Sequence, residues 1–152
     1  IIFEARYSDS TNQSKDEMLS EHIDKILQVL QNLPMTFSGT LDRLIRQSGM
    51  TVEALSEAAE IDTKTIYRLR KKEPQDVKIE TVVQLCIGMQ LDPMLSDCLL
   101  KASGKSFMAT KQHKVYDFLL RVCYKYSICE CNGMLANQGL KMLGRQNRAM
   151  EK

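Results

Sequence analysis

No stretch of this 152-residue sequence stays apolar for more than a few residues, far short of the ~20 that carry a helix across a bilayer. A membrane-spanning helix is excluded. Nor does the chain open with a charged segment followed by an apolar one, the pattern of an export signal, so the expected location is the cytoplasm. The first residue is Ile1 rather than Met, and an upstream segment, removed or left out, is expected. Histidine is scarce. His22 and His113 stand far apart, and no H-E-x-x-H makes a pair of zinc ligands. Each is expected at a helix surface or partly buried, not as an acid or base. There is no nucleophile elbow and no Gly-rich phosphate loop. Gly104-Lys105-Ser106 has the end of such a loop without its earlier glycine or its strand. The sequence therefore predicts no enzyme, no catalytic residue and no cofactor.

Five cysteines, Cys86, Cys98, Cys123, Cys129 and Cys131, are an odd number in a chain without an export signal, which argues for reduced thiols. Three of them crowd together downstream of His113. Structural zinc favours paired units such as C-x-x-C, whereas this chain offers a single C-x-C. No metal is expected, and the thiols are expected to be buried.

What is present is the composition of a globular protein: 43% hydrophobic and 26% charged residues, enough for one ordinary core. Net charge is only +2, so position carries more information than the total. Residues 63–72 hold Lys64, Arg68, Arg70, Lys71 and Lys72 without an acid, and 105–152 is also basic, while 37–62 and 73–104 are net acidic. Clustered cations between acidic flanks steer a polyanion to one helix and to the C-terminal tail. The plainer reading is a solvated helix end, where Lys and Arg complement the macrodipole.

The periodicity is helical throughout, and no strand-type alternation of useful length competes with it. The predicted class is all-α. Residues 8–14 are polar turn formers without an apolar anchor and are read as a linker or frayed arm. From Lys15, Leu19, Ile23, Ile26, Leu30 and Leu33 recur at steps of four and three, giving an apolar seam that Pro34 ends. Two heptads do not establish a coiled coil, so the seam serves either the protein's own core or a dimer. Five further helices follow. The first is capped by Ser38 and closed by Gly49, and the second is capped by Thr51. The third is capped by Asp62, with Ile66 and Leu69 inward; the fourth spans Ile79 to Met89. The fifth is capped by Asp92, carries Pro93 at its first position, points Leu95, Leu99 and Leu100 inward, and ends at Gly104. Beyond it, Lys111 to Tyr126 and Ile128 to Leu143 predict a helical hairpin, the second helix broken by Gly133 and Gly139, with a mobile tail holding Arg145, Arg148 and Lys152. The expected organisation is an N-terminal arm and amphipathic helix over 1–35, a central domain over 36–104 and a C-terminal helical extension over 105–152.

Within the central domain, Met50 to Leu69 runs as two short helices joined by Ala-Glu-Ile-Asp. Gly-Met-Thr opens the first of them, Thr-Lys-Thr-Ile-Tyr-Arg-Leu forms the second, and Lys-Ile-Glu-Thr-Val-Val-Gln-Leu-Cys opens the next helix. In these motifs residues 37–91 resemble the Cro/C1 repressor type of helix-turn-helix domain, the XRE family. The resemblance implies a five-helix bundle whose third helix reads DNA. Small residues Ser56, Ala58 and Ala59 are expected where the second helix crosses the third, and Ile61 and Ile66 fix the turn to the core. With Ile66 and Leu69 inward, the 100° advance per residue turns Thr63, Lys64, Tyr67, Arg68 and Lys71 outward. Arg68 and Lys64 suit guanine edges, Thr63 or Thr65 suits thymine or phosphate, Tyr67 a sugar or phosphate, and Lys72 the backbone. Thr51 and Lys78 lie where, by resemblance, the family grips phosphates at helix starts.

Three departures stand out. Glu60 occupies the turn position where the family usually has Gly, a left-handed site that costs a non-Gly residue roughly 1 kcal/mol. Val52 replaces a usual Gln and so removes one phosphate contact. Glu57, Glu60 and Asp62 lie close to the proposed DNA face and repel phosphate. The sequence thus predicts a DNA-binding transcriptional regulator, the expected partners being double-stranded DNA and a second copy of the chain, with no membrane involved. The alternative is an interaction module, antitoxin-like or part of a larger polypeptide, that keeps the bundle and meets a protein partner through its N-terminal or C-terminal helices.

Overall fold

The computed structural model describes residues 9–71 and 76–144, with side chains from Ser14 onward. Among them are eight helices and no strand: α1 (Asp9–Gln31), α2 (Phe37–Ser48), α3 (Val52–Ala59), α4 (Thr63–Leu69), α5 (Ile79–Met89), α6 (Pro93–Ser103), α7 (Lys111–Val122) and α8 (Ile128–Asn137). The all-α class read from the periodicity is the class observed. The chain divides into two compact units, Ile1–Leu33 and Pro34–Lys152.

The first unit holds α1. Its backbone is helical from Asp9, so the polar stretch read as a linker or frayed arm belongs to the helix from its second residue onward. Once a helix is nucleated, each added residue gains a hydrogen bond, and polar residues lower the propensity by only a few tenths of a kcal/mol each. Leu19 and Ile23 of the expected seam are exposed, as are Met18 and Leu27 beside them.

In the second unit, α2 to α6 form the expected five-helix bundle. Leu41 and Leu44 of α2, Leu55 of α3, Ile66 and Leu69 of α4, and Leu99 of α6 are almost wholly buried. Each such side chain contributes roughly 1.5–3 kcal/mol by leaving water. They surround α5, which is buried on every side from Val82 to Met89, as its nearly unbroken apolar sequence requires. Leu95 and Leu100 of α6, expected inward, are only partly covered.

Most caps fall where the sequence put them. Thr51 accepts the Ala54 N–H at 3.0 Å, Asp92 accepts that of Met94 at 3.1 Å, and Gly49 and Gly104 close α2 and α6 in the left-handed conformation. Two differ. Helix α2 starts earlier than expected, with Thr36 rather than Ser38 as its cap: extended Thr36 accepts the Gly39 N–H at 3.1 Å, and Ser38 is buried inside the helix. Asp62 stands at the N-cap of α4, but its side chain makes no capping hydrogen bond.

The tightest helix pair is α3 with α5, and here too the structure corrects the sequence. A Cβ on Gly88 would stand 2.7 Å from the Ala59 Cβ and 3.0 Å from its backbone. Ala59 is therefore small for α5 rather than for α4. Ser56 also serves a different end, since its hydroxyl donates to the Ile61 carbonyl at 2.6 Å and holds the turn after α3.

The C-terminal extension is shorter in helix than expected. Helix α7 ends at Val122, and Tyr126 closes a turn onto the Cys123 carbonyl at 3.0 Å. Gly133 lies inside α8 without breaking it. Gly139, with φ of 71°, ends the helical path, while Leu140 donates back to Leu135. Leu140 and Leu143 thus belong to a strap over 139–144 that follows α8. Two side-chain amides fasten this strap. Gln112 of α7 donates to the Lys141 carbonyl at 2.8 Å and accepts its N–H, and buried Asn132 of α8 accepts the Leu143 N–H at 2.7 Å and donates to its carbonyl. The expected tail with Arg145, Arg148 and Lys152 lies outside the described residues.

Gly88→Ala is expected to lower the free energy of unfolding by about 1–2 kcal/mol, because overpacking of up to about 3 kcal/mol outweighs the roughly 1 kcal/mol gained in helix propensity. Urea unfolding of the purified protein checks this, and an unchanged or raised midpoint would mean that α3 and α5 can separate without loss.

Candidate nucleic-acid interface

The surface around α4 is set by the turn before it. Helix α3 ends at Ala59, and Glu60 takes the left-handed conformation with φ of 56° and ψ of 44°. The position thus has the geometry that the family resemblance assigns to glycine. Hydrogen bonds hold it from both sides: the Ile61 N–H donates to the Ser56 carbonyl, the Ser56 hydroxyl donates to the Ile61 carbonyl, and the Gln84 amide donates to the carbonyls of Ala59 at 3.0 Å and Glu60 at 3.3 Å. Ile61 is buried beneath. Only Ile61 and Asp62 separate this turn from Thr63, so the direction of α4 follows from it.

Inside α4, Ile66 and Leu69 face the core and are fully or nearly fully buried. Their spacing places Lys64, Tyr67 and Arg68 on the opposite side, and Lys71 follows in the turn after the helix. All four are exposed, Tyr67 to 50%. An exposed aromatic ring among three cations is the combination that a phosphate and base surface rewards. Thr63 and Thr65 lie on the two flanks and are partly covered. Thr51 caps α3, and Lys78 stands at the N-cap position of α5 without a capping hydrogen bond; both are exposed. Lys72 lies outside the described residues.

Arg70 of this cluster is committed elsewhere. Arg70 turns back to Asp42 of α2, with its Nε donating at 2.9 Å, and Arg46 donates to the other carboxylate oxygen at 2.9 Å. Burial alone would raise the Asp42 carboxyl, but the hydrogen bonds and charges of Arg46 and Arg70 outweigh it and hold the group below its ordinary value. This pairing anchors the C-terminal end of α4 as the Glu60 turn anchors its start. Glu57 and Asp62 are exposed near the cationic face, and Glu60 is partly covered.

Beside the Thr65 flank is a cleft of about 650 Å³ whose walls include Asp62, Thr65, Lys78, Glu80, His113 and Lys141. The His113 Nδ1 accepts the Met108 N–H at 2.9 Å, and the ring stacks on Tyr116 with centroids 5.8 Å apart. Both histidine ring and tyrosine therefore brace the chain around the cleft. The cysteines differ in exposure: Cys86, Cys123 and Cys131 are buried, Cys98 is half-buried and Cys129 is exposed, which corrects the expectation of buried thiols at Cys129. Burial pushes the Cys86 thiol up to about 12 and that of Cys131 up to about 11, so neither supplies a thiolate near neutral pH. Among the described residues no three His, Cys, Asp or Glu side chains converge as a metal site, and no helix is long and apolar enough to cross a membrane.

Three residues that shape this surface escaped sequence reasoning. Gln84 had a readable signal, a single amide within an otherwise apolar run from Val82 to Met89. Asp42 had half of one, its spacing of four to Arg46. Gly144, which packs against Glu60, had none, because the contact joins distant parts of the chain.

Residues 40–93 match the family model of the Cro/C1-type HTH DNA-binding domain, from the first part of α2 to the first residue of α6. No curated protein and no solved structure matches the chain.

The Asp42 pairing has a pH signature. Its carboxyl is lowered on folding, so its stabilisation is complete above the unfolded value near 3.8 and is lost as pH falls through the lower folded value. The stability difference between the native chain and Asp42→Asn should be constant near neutral pH and shrink below pH 3.8. Denaturation midpoints measured across that range check it, and a difference that grows on acidification would contradict the pairing.

Proposed function

Given that residues 40–93 form a Cro/C1-type helix-turn-helix DNA-binding domain, we propose that this protein is a sequence-specific transcriptional regulator that reads the major groove with α4. The observation that carries the reading is the division of α4 itself. Ile66 and Leu69 are buried, and Lys64, Tyr67, Arg68 and Lys71 are exposed together. On this reading Arg68 is the main base-reading residue, through two parallel hydrogen bonds to guanine O6 and N7. Lys64 makes a less rigid contact of the same kind. Thr63 and Thr65 meet thymine or phosphate from the flanks. Tyr67, Lys71 and Lys72 contact the sugar-phosphate backbone, and Thr51 and Lys78 take phosphates at the starts of α3 and α5.

A helix of seven residues reads only a few base pairs, which favours a two-fold dimer on a paired site. The surfaces available for pairing are apolar and exposed. Phe118 and Val122 of α7 are exposed, and Phe118 borders a groove of about 280 Å³ lined also by Val115 and Met134, while Leu19 and Ile23 are open on α1. The same surfaces support the second reading, a helix-turn-helix-derived module that meets a protein partner. The acids Glu57 and Asp62 beside the cationic face favour it as well, since they weaken attraction for phosphate. A cytoplasmic setting and the absence of enzymatic activity belong to the proposal.

Arg68→Ala is expected to cost roughly 1–3 kcal/mol at one base position of a selected site, and Lys72→Ala to weaken all duplexes alike while reducing the salt slope by about one contact. Binding isotherms on selected and scrambled duplexes across a salt series distinguish them. Equal, salt-insensitive behaviour of both variants, or no binding to any duplex at low salt, would contradict the proposal.

A further inference from the structure

The strap over 139–144 ends on the turn that sets α4. Gly144 has φ of 69°, and a Cβ built on it would stand 2.8 Å from Glu60 Oε1, 2.9 Å from Glu60 Cβ and 3.1 Å from Gln84 Nε2. A carboxylate oxygen at the end of a flexible side chain can swing aside. The Glu60 Cβ cannot, because it is bonded directly to the backbone of the turn. Two left-handed residues, Glu60 and Gly144, therefore abut at a point where the chain has no spare room.

The contact is supported from both sides. Gln84 ties the carbonyls of Ala59 and Glu60 to α5. Gln112 and Asn132 tie Lys141 and Leu143 to α7 and α8, and the Leu143 side chain is 1% exposed. A strap merely draped over a surface would not need two bidentate amides on alternate residues. The turn, for its part, carries a glutamate in a conformation that costs a non-Gly residue about 1 kcal/mol, and persists in it where surrounding structure determines it.

We infer that Gly144 is a positioning residue for the helix-turn-helix, through which the C-terminal extension fixes the Glu60 turn and thereby the aim of α4. The inference rests on the reading of α4 as the DNA-contacting helix. It gives α7, α8 and the strap a part in recognition without any contact to DNA. Any added atom at residue 144 moves the Glu60 backbone, and that displacement is passed through Ile61 and Asp62 to Thr63. A misplaced reading helix loses base contacts whose geometry is narrow.

A double-mutant cycle tests this. Gly144→Ala is made in the native chain and in Glu60→Gly, and each pair is compared by affinity for a selected duplex and by hydrogen exchange of the Ile61 amide, the donor to Ser56. In the native chain Gly144→Ala should weaken binding roughly tenfold and speed that exchange by a similar factor, a coupling of ordinary size for touching residues. In the Glu60→Gly background both effects should fall below about threefold, because the collision with the Glu60 side chain is gone and only the backbone strain at residue 144 and the 3.1 Å approach to Gln84 Nε2 remain. Effects of equal size in both backgrounds, or none in either, would overturn the inference. Absence of DNA binding by the native chain would refute the proposed function instead, and the exchange arm would still decide whether Gly144 positions the turn.

Discussion

The close approach of Ala59 to Gly88 is the constraint on which this architecture depends. Two helices can come within van der Waals contact of their backbones only where both side chains are minimal, and α3 and α5 meet at such a place. That approach brings the Gln84 amide within reach of the carbonyls of Ala59 and Glu60. The turn is thereby fixed in a left-handed conformation that glutamate would not choose alone. From the turn follows α4, held at its far end by Arg70 on Asp42. The exposed face of Lys64, Tyr67, Arg68 and Lys71 is thus a consequence of packing two helices away from it.

Electrostatics on this surface is a contest, not a uniform field. Exposed cations on α4 attract a phosphate backbone, and Glu57 and Asp62 nearby oppose it. Arg70 withdraws its charge into an ion pair with α2, so the cluster seen as five cations in sequence is weaker as a field and stronger as a scaffold. Such a balance favours a binder that gains from correct base contacts over one that holds any duplex tightly. On the proposed reading, it also leaves the α4 face sensitive to small shifts, which is where a strap on the turn acquires leverage.

The sequence made legible whatever local chemistry decides. The bounds of α5, the αL glycines at 49 and 104, the Pro93 start of α6 and the inward pair Ile66 and Leu69 all follow from capping and periodicity, and all stand in the structure. Local chemistry also misled. Ser38 is as good a cap as Thr36, and only the register of Leu41 and Leu44 against the core separates them. Gly139 was legible as a breaker, but nothing nearby announced that the residues after it continue as a strap, because Gln112 and Asn132 supply its hydrogen bonds from other helices. The role of Arg70 was hidden for the same reason: its partner is on α2. Of the candidate interface, the outward side chains could be derived from a helical wheel, whereas the contacts that aim the helix could not.

Whether α4 presents its cationic face to a duplex can be read from amide chemical shifts during titration with a selected duplex at low salt. Shifts should concentrate at 51–54, 63–71 and Lys78, with α7 unaffected except where it borders the strap. Shifts confined to the apolar surface around Phe118 and Val122, or a spectrum unmoved by DNA, would contradict a reading role for α4.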